Sequence, residues 1–536
     1  MNSLFSKSQE TCLAALLCIA ALFSPRASSQ ALDAAALLKP PTDTWPTYNG
    51  DYSGRRFSTL DQINSQNIGS LTLAWAFRTP THTLKSTPLE VNGILYFTSP
   101  DNVWAVDARF GREIWHYRRT SEGDHIGHRG LGMYKDWLYF TTPDAHLICL
   151  NAKDGTVRWN VELADGKLGY FSTMAPLVVK EHVIAGVSGD VTDVPGFLVS
   201  IDPESGAIQW RWDTRPKPGE PGSETWPNAE AILHGGGMTW MTGTYDPALN
   251  LLYWGIGNPN PVLAGEGRPG DNLYTCSIVA LNPDTGKLVW YYQVSSHDVH
   301  DWDATQTPVL FDADFKGKPR KLLAQASRNG FYFLLDRTNG EHLATAPFID
   351  QTWASGVDAK GHPIPKPDAT PSPDGALVEP GSDGSTNWMA PSFSPQTNLF
   401  YVACRRLFSV YYNTVTTKAE GWGGRDRILW ANSTLRALDY RTGKVVWNRE
   451  LGEGESLQGI LTTAGHLLFT ADNSGSLLAL DPATGKTLWH LNIGGELLAS
   501  PMTYQLDGRQ YLLLPIQDTL YAFALPEKPL PPTKAN

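Results

Sequence analysis

The eight residues Ser296 to Asp303, SHDVHDWD, carry three carboxylates, Asp298, Asp301 and Asp303, and two imidazoles, His297 and His300. If the stretch is extended chain, side chains two apart share a face, so Asp301 and Asp303 stand side by side. Two carboxylates so placed repel unless a cation or a shared proton lies between them. The pair therefore points to a metal ion or to a general base with a raised pKa. A solvated acidic turn between strands is the competing reading, and the segment alone leaves both open.

The elements that must hold this segment are announced by a repeat: a small or apolar residue, an apolar one, Asp or Asn, three residues, Gly, three residues, Trp. It reads AVDARFGREIW (105–115), CLNAKDGTVRW (149–159), SIDPESGAIQW (200–210), ALNPDTGKLVW (280–290), ALDYRTGKVVW (437–447) and ALDPATGKTLW (479–489). Each copy reads as strand, turn with Gly at positive φ, strand, and a Trp that buries its ring against the next unit. Spacings of 44, 51 and 42 residues between neighbouring copies are those of four-stranded propeller blades. Two degenerate copies complete the set: LLDRTNGEHLA (334–344), which has lost its Trp, and Trp75 in LTLAWAF. The missing half of the Trp75 unit is supplied by the final strand, DTLYAFAL (518–525), which closes the ring and leaves no open sheet edge. The fold class expected is all-β, an eight-bladed β-propeller with tryptophans docking between blades, over residues 30–526.

Composition agrees. Nineteen Trp, 49 Gly and 38 Pro with only 18% charged residues describe short strands and tight turns rather than long helices. A net charge of −11 without a basic run argues against a nucleic-acid partner. Two Pro- and Gly-rich stretches, 213–227 and 351–383, are long loops, and the second is placed to roof the ring.

Lys7, the apolar run TCLAALLCIAALF (11–23) and the small residues of SPRASSQ (24–30) form the pattern of a secretory signal peptide over residues 1–29. Its removal leaves Cys149, Cys276 and Cys404, which make no CxxC, no haem-attachment and no zinc spacing. They read as small buried apolar residues, with one disulfide left open. The tail EKPLPPTKAN (527–536) reads as disordered.

Polar and aromatic stretches that turns do not need lie across the middle of the chain: GGGMTW (235–240), YWGIGNPNP (253–261), RPGDN (268–272), ASRNGFYFLLDR (326–337) and GSTNWMAPSFSPQT (384–397). In these motifs, and in their order, the chain resembles the PQQ-dependent alcohol dehydrogenases of the methanol/ethanol type, secreted eight-bladed propellers. The resemblance runs from WPTYNGDYSGRRFSTLDQIN (45–64) to the final strand. It implies Trp240 as the floor on which the quinone stacks and Asn258 as an oxygen donor to the metal. It implies Asp301 as general base and metal ligand, and Asp303 as a further ligand associated with lanthanide rather than calcium ions. It implies Arg328 at the quinone oxygens, with Arg129, Thr173, Ser188, Gly189 and Asn387 as further cofactor contacts. His297 and Asp298 orient the segment rather than react. Implied partners are a small alcohol and, with no haem motif here, a soluble cytochrome c as electron acceptor.

Three departures stand against the family pattern. Gly123 and Asp124 occupy the place of two adjacent cysteines, Lys85 replaces a glutamate at the cofactor, and Val191 replaces the glutamate that ligates the metal. Lys85 is suited to pair with a cofactor carboxylate. Asp190 is the neighbouring candidate for the lost metal ligand, although strand alternation points it to the opposite face. The rival expectation is a quinone-free propeller serving as a periplasmic scaffold or binding module.

Overall fold

The computed structural model describes residues 32, 35–38, 42–81, 83–123, 126–189, 193–414, 422–456 and 458–526. The signal peptide, Asp124, Asp190, Val191 and the tail 527–536 lie outside them.

Eight sheets of four or five strands follow one another along the described chain, almost all of them antiparallel meanders, in an all-β propeller-type fold. Among the described residues helix is confined to single turns, the longest being Ala229–Leu233, and no described helix is long and apolar enough to cross a membrane. In each meander one edge is buried and the other meets water. Leu89–Val91, Gly132–Tyr134 and Leu177–Val179 are buried throughout, whereas Arg112–Arg118 and Val157–Glu162 at the opposite edges are largely exposed.

The repeat glycines explain how neighbouring sheets pack. Gly111 has φ +66°, and a Cβ there would fall 2.5 Å from the Trp75 ring. Gly155 has φ +73° and stands against Trp115 in the same way. The absence of a side chain lets the indole lie flat on the turn of the next unit. Its N–H then finds a carbonyl there, Trp75 donating to Ala108 O at 3.1 Å, Trp115 to Ala152 O at 3.0 Å and Trp447 to Pro482 O at 3.0 Å. Where Ala344 replaces the Trp, Gly443 of the following unit lies against Tyr332 and Ala346 instead.

A strand from the first part of the described chain meets the last strand in one sheet. Strand Thr72–Arg78 pairs antiparallel with Thr519–Ala524, from Thr72 opposite Ala524 to Arg78 opposite Thr519. All three candidate structural cysteines, Cys149, Cys276 and Cys404, are buried and free, so none forms a disulfide with another.

The stretch 351–383 contains the hairpin Ala354–Val357 and Pro363–Pro365 and the strand Ala376–Val378, and it packs over the acidic segment. Ala369 O accepts from His300 Nε2 at 2.8 Å, and Gly381 O accepts the Trp302 indole N–H at 3.1 Å. The roof expected from composition is therefore a structured one.

One buried acid makes stability depend on pH. Glu90, in Leu89–Val91, is 1% exposed, accepts from Gly93 N at 2.7 Å through Oε1, and has no hydrogen-bond partner at Oε2 among the described residues. Burial pushes its carboxyl up to about 8, against a lowering by the Gly93 N–H. A pKa raised on folding means that stability is fully present below the ordinary carboxylate range and is lost as pH rises toward 8. Glu90→Gln removes the titration, so the difference in Tm, variant minus wild type, is expected to rise by several degrees between pH 5 and pH 8. Calorimetric melts at the two pH values check it, and parallel curves for the two proteins would exclude it.

Candidate active site

The segments that lead into the buried edge strands all enter from the same end of the meanders, and they carry most of the candidate residues. Lys85 precedes Leu89–Val91, Arg129 precedes Gly132–Tyr134, Thr173 precedes Leu177–Val179 and Trp240 precedes Thr244–Asp246. Asp301 and Asp303 precede Val309–Phe315, and Asn387 precedes Ser392–Ser394. The turns before Phe197–Ile201, Ser277–Leu281 and Phe331–Asp336 add Ser188, Asn258 and Arg328.

At the centre, Asp301 and Asp303 share one guanidinium. Arg328 Nη1 lies 3.1 Å from Asp301 Oδ2 and donates to Asp301 O at 2.7 Å, while Nη2 lies 3.3 Å from Asp303 Oδ2. Asp303 Oδ2 also accepts the Trp240 indole N–H at 2.9 Å, and Asp303 Oδ1 accepts Asn258 N at 2.6 Å. Five candidate residues from four separate turns therefore form one hydrogen-bonded group, and all but Trp240 are more than nine-tenths buried. Gly257 makes room for it, since a Cβ there would fall 2.9 Å from Asp303 Oδ1.

The extended conformation that would put the two carboxylates on one face is not what unites them. Asp301 sits at φ 67°, in the left-handed region, and the segment forms no strand. The irregular chain is held by its neighbours instead. Asp298 Oδ2 accepts Trp302 N at 3.1 Å and His300 N at 3.3 Å, and His300 stacks on Trp302 at 4.1 Å between centroids. Burial raises the Asp298 carboxyl to about 6, opposed by the Trp302 N–H and by Arg268. His297 turns away from the group, its Nδ1 2.9 Å from Gly270 O. Both residues thus position the segment.

A second group lies on the Trp240 ring. The Arg129 guanidinium carbon is 4.7 Å from the Trp240 centroid and 5.0 Å from that of Trp388, and the Arg328 carbon is 5.6 Å from Trp240. Arg129 also bonds the Thr173 hydroxyl. Trp240 and Trp388 pack against Tyr48, Ala175 and Met241 beneath. Burial lowers the Arg129 pKa to about 10, with Arg328 adding to the fall and Tyr48 opposing it. Lys85 joins these cations. Its Nζ donates to Ile126 O at 2.6 Å, and burial, then Arg129, lowers its pKa. Lys85 also lines a cavity of about 490 Å³ with Ile126, Gly127, Asn102 and Leu498.

Two buried polar atoms here have no hydrogen-bond partner among the described residues, Arg129 Nε and Ser188 Oγ. Ser188 N donates to Phe171 O at 2.8 Å, and Gly189 follows at φ 140°. Asn387 is drawn into its own loop, donating to Asp383 O at 3.0 Å and accepting Trp388 N at 2.8 Å.

Three desolvated cations, two orphaned polar atoms and an aromatic face together suit a flat, multiply anionic ring system. PQQ, with its fused rings and three carboxylates, fits that donor set. For a hard cation, Asn258, Asp301 and Asp303 offer oxygen, as calcium and lanthanide ions require. Among the described residues no group of three His, Cys, Asp or Glu side chains is disposed to hold a metal, so the amide and quinone oxygens would have to complete the set. Gly123 is locked into other packing: a Cβ there would fall 1.8 Å from Pro143 O, so a cysteine at this position requires a backbone shift.

Sequence reasoning did not find Trp388 or Tyr48. Trp388 adjoins Asn387 in the same motif, and Tyr48 lies in the first stretch of the resemblance, but neither belongs to the repeat.

A family model described as glucose/ethanol/alcohol dehydrogenase, beta-propeller domain, matches residues 45–347. A second, described as outer membrane protein assembly factor BamB, matches residues 431–523. The chain is 36% identical over 505 residues to the quinohemoprotein alcohol dehydrogenase ADH IIB of Pseudomonas putida, covering 88% of this chain and 73% of that one. The crystal structure of quinohemoprotein alcohol dehydrogenase from Comamonas testosteroni superposes with a TM-score of 0.87 at 32% identity, covering 95% of this chain and 85% of that one. A europium-containing methanol dehydrogenase superposes with a TM-score of 0.84 at 29% identity, covering 91% and 99%.

Proposed function

The chain belongs to the quinoprotein alcohol dehydrogenase family, and we propose from this that it oxidises a primary or related alcohol to the aldehyde or ketone, with Asp301 as general base. The observation that carries the reading is the junction of Trp240, Asn258, Asp301, Asp303 and Arg328 within hydrogen-bond distance. A scaffold needs no such junction. The eight sheets are read as eight blades whose tryptophans dock between them, and the site as lying where the blades converge.

PQQ, when bound, supplies the two-electron oxidation. Trp240 would give it a flat support, and Lys85 and Arg129 would meet its carboxylates, with Thr173, Ser188, Gly189 and Asn387 as further contacts. Arg328 fixes Asp301 by the 3.1 Å pair to its carboxylate, and Asp301 would take the proton of the substrate hydroxyl. Trp302, His300 and the roof residues exclude water from that step.

Asn258, Asp301 and Asp303 are proposed to hold calcium or a lanthanide ion. A trivalent ion gains most from a second carboxylate, so Asp303→Ala is expected to weaken Tb³⁺ at least about tenfold and Ca²⁺ less. Terbium emission sensitised by Trp240 reads the affinity. Unchanged Tb³⁺ affinity would remove Asp303 from the ligand set. Export to the periplasm and transfer of electrons to a soluble cytochrome c complete the proposal.

Calorimetric titration of PQQ into metal-free protein, repeated with Ca²⁺ and La³⁺, tests the whole reading. Tight, metal-dependent binding supports it. Absence of binding with either ion would leave the scaffold reading.

A further inference from the structure

The hairpin Leu399–Asn413 and Gly424–Asp439, at 15 and 16 residues, is far longer than the other strands, and Ala376–Val378 adds a third strand along its outer half. Burial alternates there. Leu407, Ser409, Tyr411 and Asn413 point inward, while Arg406, Phe408, Val410 and Tyr412 point outward. Register carries the outward row across the ribbon, Phe408 opposite Trp430, Val410 opposite Arg427 and Leu377, and Tyr412 opposite Arg425.

Large apolar side chains stay exposed on that face: Leu377 at 58%, Trp430 at 44% and Leu429, at the bulge, at 53%. Cations surround them. Arg406 stands 5.4 Å over Phe408 and is paired with Glu379 at 2.8 Å, whereas Arg425, 5.3 Å over Tyr412, and Arg427 have no ion pair among the described residues. In a chain of net charge −11, an apolar face bordered by arginines with no ion pair among the described residues favours an acidic partner.

The opposite face of the ribbon rests on the site. Tyr411 Oη donates to His300 O at 3.3 Å, and Asp426 accepts from Ser382 Oγ at 2.7 Å. The ribbon is thus about one sheet spacing, ~10 Å, from the segment that holds Asp301, and a partner on its outer face about one spacing further.

We propose that the outer face of this ribbon, centred on Trp430, Leu377 and Phe408 and steered by Arg425 and Arg427, docks an acidic one-electron carrier protein whose contact patch is apolar and ringed by carboxylates. The proposal rests on the oxidation proposed above. Each alcohol oxidised to aldehyde releases two electrons and two protons. Two haem-protein carriers take one electron each, iron(III) becoming iron(II), and the protons leave to solvent, the first by way of Asp301.

The test uses the PQQ- and metal-loaded enzyme and its Arg425→Glu/Arg427→Glu variant, with succinylated cytochrome c as acidic probe, unmodified cytochrome c as basic probe, and phenazine methosulfate as a small acceptor. The wild type is expected to favour the acidic probe. In the variant, KM for the acidic probe rises about tenfold at low salt, the gap narrows at high salt, and dye-coupled turnover is unchanged. Binding of succinylated cytochrome c to the immobilised protein without alcohol is expected to weaken in parallel.

Unchanged KM and unchanged binding in a variant active with the dye would overturn the surface alone. Lack of dye-coupled turnover in the wild type would overturn the oxidation reading, while the binding arm still decides the surface. A wild-type dimer that the substitutions split would give the face to a second copy and overturn the proposal.

Discussion

Asp301→Asn is expected to lower kcat about 10²–10⁴-fold, the range that positioned general bases supply. The amide keeps the size and one acceptor oxygen of the carboxylate but cannot take a proton from the alcohol. Arg328 keeps two partners in the variant, Asp303 Oδ2 at 3.3 Å and Asp301 O at 2.7 Å, so no cation is left buried and unpaired. The melting temperature is therefore expected to move little, and PQQ affinity to fall less than turnover. Dye-coupled kinetics, PQQ calorimetry and a thermal melt on one preparation separate these effects. Turnover near the wild-type value would remove Asp301 as the base.

Trp240→Ala is expected to weaken PQQ binding about 100-fold. One indole face covers roughly 100 Å² of a flat ligand, which at about 25 cal/mol/Å² is ~2.5 kcal/mol, or nearly two decades in Kd. Trp240→Phe separates the two roles of this side chain. It keeps an aromatic face but removes the N–H that bonds Asp303 Oδ2 at 2.9 Å, so quinone affinity is expected to drop only a few-fold while the ion preference changes. Calorimetry with and without metal reads both quantities. Equal PQQ affinity in Trp240→Ala and wild type would place the quinone away from this ring.

The scaffold was legible because its signals are periodic. A Trp, a Gly and an Asp at fixed intervals identify strand and turn without any long-range information, and the glycines at 111 and 155 lie against Trp75 and Trp115. The acidic pair was legible as a pair, but not its geometry. A left-handed residue at 301 and a guanidinium 27 residues further on unite Asp301 with Asp303, and alternation along a strand carries no trace of either. Trp388 and Tyr48 join the site through contacts between distant segments, and each would serve equally well as ordinary core. The basic ribbon was hidden for another reason. Arg425 and Arg427 stand two apart with Asp426 between them, a short mixed-sign stretch, and the apolar residues they border gather only when paired strands bring alternate positions onto one face.

The pairing of Thr72–Arg78 with Thr519–Ala524 also governs the order in which the molecule can be made. Nearly the entire chain lies between the two strands, and closing a loop of about 440 residues costs ~5 kcal/mol of chain entropy. Neighbouring meanders need only short loops, so they gain their contacts first and the terminal latch engages last. The latch holds none of the candidate site residues, yet Lys85 follows it by only seven positions. Because Thr72 already lies opposite Ala524, a covalent link between the termini with new termini cut in an outer turn such as 153–155 would replace the long connection between the two latch strands by a much shorter one. The circle would then close without waiting for the last strand, and the site would be assembled from the same turns in a different temporal order.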